Sequence, residues 1–252
     1  MKNLLVAQSG GPTSAINASL AGVVENALSS PSVDRIYGSI NGIQGVLTEN
    51  LIDLKTKLTN VSELDLLCQT PASALGSCRV KLKDPAVCAD EYETIISVLR
   101  KYNIDCFIYI GGNDSMDTVD KLSKYLNAKG ITDITVVGAP KTIDNDLCGT
   151  DHCPGFGSAA KYIGTTFAEL ERDCHVYATK AVTIVEVMGR DAGWLTAASC
   201  LARANGAKGP DFIYLCEVPF SIDTFLKDVK AKLEKQDAVI IAVSEGVKNK
   251  DG

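Results

Sequence analysis

The feature that most limits the folds open to this chain is a repeated phrase: a short apolar run, a glycine-bearing turn, then apolar residues at helical spacing. Leu4 to Gln8 runs into Ser9-Gly10-Gly11-Pro12-Thr13, and Ala15 to Leu28 follows with a helical period. Arg35 to Ile40 reads as a strand before Asn41-Gly42, and Tyr92 to Tyr102 as a helix. Asp105 to Ile110 reads as a buried strand entering Gly111-Gly112, with Met116 to Asn127 helical and Gly130 placed to stop it. Ile134 to Gly138 is again a strand, and after Cys153-Pro154-Gly155-Phe156-Gly157 a helix runs to about Cys174. Ala181 to Val187 is a β-branched strand ending in Met188-Gly189-Arg190, and Asp191–Arg203, Asp211–Leu215, Ile222–Leu233 and Ala238–Val243 continue the alternation. Strands alternating with helices predict an α/β fold with a mainly parallel sheet covered on both faces. Such sheets bind ligands beyond the carboxyl ends of their strands.

The 252 residues, 46% of them apolar, suffice for one large or two medium domains. There are 31 acidic and 25 basic residues, a formal charge of −6, with no basic block. That excludes a nucleic-acid footprint and an anionic-membrane footprint, so any polyanion must be held locally. The nine cysteines are scattered singly, which predicts mostly buried thiols in a reducing compartment. Cys148 and Cys153, with His152 between them, lack the second pair that a structural zinc requires. The apolar run Leu4-Leu5-Val6-Ala7 is too short for a signal segment, and no stretch reaches membrane-spanning length. A cytoplasmic location is the expectation.

Four glycine-bearing turns fall at predicted strand ends: Gly10-Gly11, Gly111-Gly112, Gly138 through Asp146, and Gly189-Arg190. Sharing one crevice, they would let backbone amides approach a phosphate, although glycines also end strands that bind nothing. Asp144 and Asp146 by themselves fit a solvated turn. Beside them, however, Lys141 supplies a cation and Thr142 a hydroxyl, so that one carboxylate can take a proton while the other reaches a divalent metal. Phosphoryl transfer needs that division, with cations around the moving group. Arg79 and Arg190, each after a small-residue turn, are candidates for those cations; surface ion pairs are the competing reading.

Taken in order, these motifs resemble a 6-phosphofructokinase. They are Gly10-Gly11 with Asn17, Gly76-Ser77-Cys78-Arg79, Gly111-Gly112-Asn113-Asp114-Ser115, Pro140-Lys141-Thr142-Ile143-Asp144-Asn145-Asp146, Pro154-Gly155-Phe156-Gly157 and Met188-Gly189-Arg190. Within that family the chain is similar to the pyrophosphate-dependent type, because Asp114 and Lys141 stand where ATP-dependent members usually carry glycines.

The resemblance implies two doubly wound, Rossmann-like domains with the site in the cleft between them. Residues 1–148 would take the phosphoryl donor, and residues 149–252 would bind fructose 6-phosphate. It makes Asp144 the base that deprotonates the 1-hydroxyl of fructose 6-phosphate, with Arg190, Lys141 and Asp114 sharing the catalytic work. Gly11, Arg79, Gly112, Asn113 and Ser115 would face pyrophosphate. Thr142, Ile143, Met188, Gly189, Arg190 and Glu245 would line the sugar phosphate, joined by Lys180 from a neighbouring subunit. Mg2+ would lie on Asn113 and Asp146; the family often has an aspartate at the first of these positions, and an amide brings no charge. Also implied are a homo-oligomer, dimer or tetramer, and a C-terminal segment beyond Gly252 with further basic residues for the 6-phosphate, so that the chain reads as truncated. An ATP-dependent enzyme, a kinase of the wider group acting on NAD or lipid, and a non-catalytic regulatory subunit are the alternatives.

Overall fold

The computed structural model describes residues 2–58 and 60–252. The chain divides into two compact units, Met1–Lys141 and Thr142–Gly252.

The first unit runs β1 (Lys2–Gln8), α1 (Ile16–Ser29), β2 (Val33–Ser39), α2 (Gly42–Leu47), β3 (Leu51–Asp53), α3 (Val61–Gln69), α4 (Ala89–Lys101), β4 (Ile104–Gly111), α5 (Asn113–Ala128) and β5 (Thr135–Pro140). Its sheet has the order β3-β2-β1-β4-β5, parallel throughout except for β3, which pairs antiparallel with β2. Side chains alternate across a strand, so β1 feeds two cores at once. Leu5 and Ala7 join Phe107 and Tyr109 beneath α2, α4 and α5, while Leu4 and Val6 join Ile110 beneath α1 and α3. This two-sided burial is why β1 reads as an unbroken apolar run rather than an alternating one. Each fully buried Leu or Phe adds about 1.5–3 kcal/mol over an exposed one.

The second unit runs α6 (Phe156–Cys174), β6 (Ala181–Val187), α7 (Trp194–Ala198), β7 (Phe212–Tyr214), α8 (Ile222–Leu233) and β8 (Ala238–Ser244). Its three strands are parallel in the order β6-β8-β7. Central β8 again serves both faces: Ile240 and Ala242 pack with Phe167 and Leu195, Val239 and Ile241 with Val229 and Phe225. Edge strand β6 leaves Val182 and Ile184 exposed.

Several expectations need correction. Only Cys78 and Cys153 of the nine cysteines are buried, because the others fall on helix surfaces, loops or half-covered positions. Helix α5 starts at Asn113, three residues before the expected Met116, so the acidic loop is a helical first turn. Gly138 lies inside β5 rather than in a turn; a Cβ there would come 2.6 Å from Met116 Sδ, so glycine admits α5 against the strand. Asp191–Arg203 holds only one short α-helix, α7, which continues as a 3-10 stretch over Ser199–Asn205. Among the described residues no helix is long and apolar enough to cross a membrane.

Candidate active site

In the first unit the crossovers from β1 lead to β2 on one side, while β4 and β5 lie on the other. The carboxyl ends of β1 and β4 therefore form the switch point at which open α/β sheets bind ligands. The two turns stand side by side there, with Ser9 N–H donating to Ile110 O at 2.9 Å. The loop of Gly76-Ser77-Cys78-Arg79 is stapled onto the first turn. Gly10 N–H and the Ser9 hydroxyl donate to Cys78 O at 3.3 and 3.2 Å, and the Ser77 hydroxyl donates to Gly10 O at 2.5 Å. Beneath it, fully buried Gln8 and Asn17 hold residues 70–75: Leu75 N–H donates to Gln8 Oε1 at 2.8 Å, and Ala74 N–H to Asn17 Oδ1 at 2.9 Å. Arg79 leaves this braced loop with its side chain exposed.

Helix α5 springs directly from Gly111-Gly112, and its N-cap Gly112 offers no side chain to the first turn. The amide end of a sixteen-residue helix carries partial positive charge that favours an anion. Ser115 is buried beneath Gly111, while Asn113 and Asp114 are exposed. Lys141, only 3% exposed, follows β5. Its N–H donates to Gly111 O at 2.9 Å and its ammonium donates to Gly11 O, joining the ends of β1 and β4.

Sequence reasoning missed Lys81, whose ammonium lies 2.8 Å from Asp114 Oδ1. A signal was present: exposed Arg79, Lys81 and Lys83 alternate with half-buried Val80 and buried Leu82, the period of an extended segment with one wet side.

In the second unit the parallel register pairs Val187 with Ser244, which sets the turns after β6 and β8 next to each other. Glu245 Oε1 accepts the N–H groups of Gly189 and Arg190 at 2.8 and 2.6 Å. Those two bonds, that from Arg190 first, hold the Glu245 carboxyl below its ordinary pKa by favouring the charged form. The clasp fixes an unusual backbone: Gly189 has φ +149° and Arg190 φ +54°. A Cβ on Gly189 would meet Ala192 O at 2.4 Å, so glycine alone fits. Lys248 closes the same pair of loops, 3.0 Å from Asp191. Glu245 is therefore engaged with the backbone that carries Arg190. Arg190 Nε stands 4.0 Å from Asp144 Oδ2, which brings a guanidinium to the half-buried carboxylate of the Thr142–Asp146 segment.

Of the remaining candidates, Ile143 packs against the Phe167 core, and Thr142 Oγ1 accepts Asp144 N–H at 3.1 Å. Met188 is exposed. Lys180 precedes the opposite end of β6 and donates to Leu233 O at 2.6 Å, a strand's length from Gly189.

The first unit carries glycine turns at the carboxyl ends of β1 and β4, and the second sets the Arg190 guanidinium beside the Asp144 carboxylate, both on an α/β scaffold. A family model described as phosphofructokinase matches residues 3–252, and the chain belongs to the phosphofructokinase family. It is 42% identical over 249 residues to the pyrophosphate–fructose 6-phosphate 1-phosphotransferase of Rhodospirillum rubrum, covering 99% of this chain and 59% of that one. The same name and identity hold for a Xanthomonas campestris relative over 252 residues, again 99% of this chain and 59% of the relative. The crystal structure of a pyrophosphate-dependent phosphofructokinase from Nitrosospira multiformis matches with a TM-score of 0.88 at 42% identity, over 100% of this chain and 62% of that chain. The chain thus spans about three fifths of the length of the curated relatives it matches.

Proposed function

We propose that this chain belongs to an enzyme that moves a phosphoryl group from pyrophosphate to the 1-hydroxyl of fructose 6-phosphate, giving fructose 1,6-bisphosphate and phosphate. The observation that carries the reading is that one switch point holds both Asp114, exposed in the first turn of α5, and buried Lys141, whose ammonium donates to Gly11 O. A carboxylate and a long side chain there oppose the inner phosphate of a nucleotide, while the ammonium can pair with a pyrophosphate oxygen; the discrimination works by repulsion as well as attraction. The names of the relatives above point the same way.

In this reading Met1–Lys141 is the donor unit, with Gly11, Arg79, Gly112, Asn113 and Ser115 around pyrophosphate, and Thr142–Gly252 is the sugar-phosphate unit. Asp144 takes the proton of the attacking hydroxyl, and Arg190 balances charge on the phosphoryl group as the bridging P–O bond breaks. Glu245 keeps Gly189 and Arg190 in place for the acceptor. Mg2+ keeps waters and substrate phosphate oxygens among its ligands and asks little of the protein; Asp146 would offer it a carboxylate, and when bound it would neutralise phosphate charge. Asn113, in the first turn of α5, would offer an amide oxygen on the donor side.

Steady-state assays of the full-length protein with pyrophosphate and with ATP test the proposal. Turnover is expected with pyrophosphate; faster turnover with ATP refutes it.

A further inference from the structure

Between the two carboxylates of the Thr142–Asp146 segment stands a residue to which the chemistry above gives no part. Asn145 is 6% exposed and has φ +58°, in the left-handed region. Its amide laces the loop from within, Nδ2 donating to Asp151 O at 3.2 Å and Oδ1 accepting Cys153 N–H at 2.8 Å. The base of the same loop is closed by Thr142, whose N–H donates to Pro154 O at 3.1 Å and which forms a parallel bridge with Gly155. Residues 142–155 are therefore a ring, tied at its base and again across its middle.

We infer that Asn145 is a positioning residue that sets the directions of Asp144 and Asp146, an inference that rests on the roles proposed for those two carboxylates. In an extended segment, residues two apart project to the same face. A left-handed residue between them breaks that relation and lets the two carboxylates serve different partners. Few residues can stand at this position. Asn, Asp and Gly reach the left-handed region at low cost. Of the three, only Asn carries both the donor needed at Asp151 O and the acceptor needed at Cys153 N–H. Gly keeps the backbone and loses both ties. An ionised Asp keeps the acceptor and turns a carboxylate toward a carbonyl. Ala keeps neither tie nor angle.

The test uses Asn145→Gly, Asn145→Ala and Asn145→Asp in the full-length protein, with two readouts. The first is alkylation by iodoacetamide followed by mass spectrometry: Cys153 is buried on the ring, and exposed Cys148 in the same segment is the internal reference. Wild type should label at Cys148 and spare Cys153, whereas Asn145→Ala should label both. The second readout is the split between kcat and KM. A misplaced carboxylate should lower kcat about 100-fold, with KM for fructose 6-phosphate changed far less, because Met188, Gly189, Arg190 and Glu245 lie off the ring and Thr142 stays tied at its base. Asn145→Gly, free of backbone strain, should lie between wild type and Asn145→Ala, and it carries the comparison should the alanine variant fail to fold. Asn145→Asp, which keeps the acceptor for Cys153 N–H and loses the donor to Asp151 O, should likewise lower kcat.

Continued protection of Cys153 in both Asn145→Gly and Asn145→Ala overturns the inference, as does a kcat within about threefold of wild type or a loss shared equally between kcat and KM. Absence of pyrophosphate-driven transfer in the wild type itself defeats the functional proposal instead, while the alkylation comparison still judges the ring.

Discussion

Replacing Gln8 with Leu isolates the brace beneath the Arg79 loop. Gln8 donates to Ile16 O and Asn17 Oδ1, both at 3.0 Å, and accepts from Leu75 N–H at 2.8 Å and the Ser73 hydroxyl at 3.0 Å. Leucine is close in volume, so the loss is of hydrogen bonds rather than of packing. The four partners do not suffer equally. Asn17 Oδ1 keeps Ala74 N–H at 2.9 Å, the Ser73 hydroxyl keeps Gly76 O at 2.7 Å, and Ile16 O keeps its bond along α1. Leu75 N–H keeps nothing, and at 3% exposure water cannot reach it. One orphaned buried donor costs ~1–3 kcal/mol and each of the weakened three ~0.5 kcal/mol, so the sum is about 3 kcal/mol. With a urea slope of about 2 kcal/mol per molar, the midpoint should fall by about 1.5 M at unchanged slope. Far-UV circular dichroism is the right probe, because the one tryptophan, Trp194, lies outside this unit. The full-length variant should also show a raised KM for pyrophosphate and an unaltered KM for fructose 6-phosphate. A midpoint change below about 0.5 M would refute the accounting, and equal changes in both KM values would refute the link to Arg79.

Two further outcomes are expected. Because the folded-state pKa of Glu245 is depressed from 4.5, its stabilising effect is complete above that value and is lost as pH falls through the folded one. Glu245→Gln should therefore be less stable than wild type at neutral pH and converge with it in acid. Urea midpoints of both proteins across that range check this, and a gap that is constant or that widens in acid contradicts it. Asp144→Ser should lower kcat by about 100- to 10,000-fold while KM for fructose 6-phosphate moves little; near-normal turnover removes Asp144 from the role of base.

Much of the α/β order was legible because burial on both faces writes long apolar runs, as in Leu4-Leu5-Val6-Ala7 and in Ala238–Val243, and glycine turns punctuate them. What escaped reading was short or non-local. Strand β3 is three residues on a sheet edge, and α2 starts from Asn41 in a left-handed conformation with glycines at positions 42 and 45, none of which advertises a helix. Site residues that carry charge stood out by type, and their partners did not. The contact of Glu245 with Gly189 and Arg190 depends on which strands are neighbours, information held in register rather than in local composition. The type of Lys141 announces a cation and not its burial, which only the convergence of β1, β4 and β5 explains. Lys81 hid in an alternation too short to separate from chance.

The pairing of β1 with β4 sets Gln8 opposite Ile110, partners about a hundred residues apart along the chain. Contacts of such span form slowly, because a large loop must close before any of them is rewarded. A ribosome extending this polypeptide therefore releases the Gly10-Gly11 turn long before its complement exists, and the early segment has to remain unaggregated and unliganded in the meantime. Affinity for an inorganic anion should consequently emerge late and abruptly in biogenesis, as a property of the closed sheet rather than of any peptide within it.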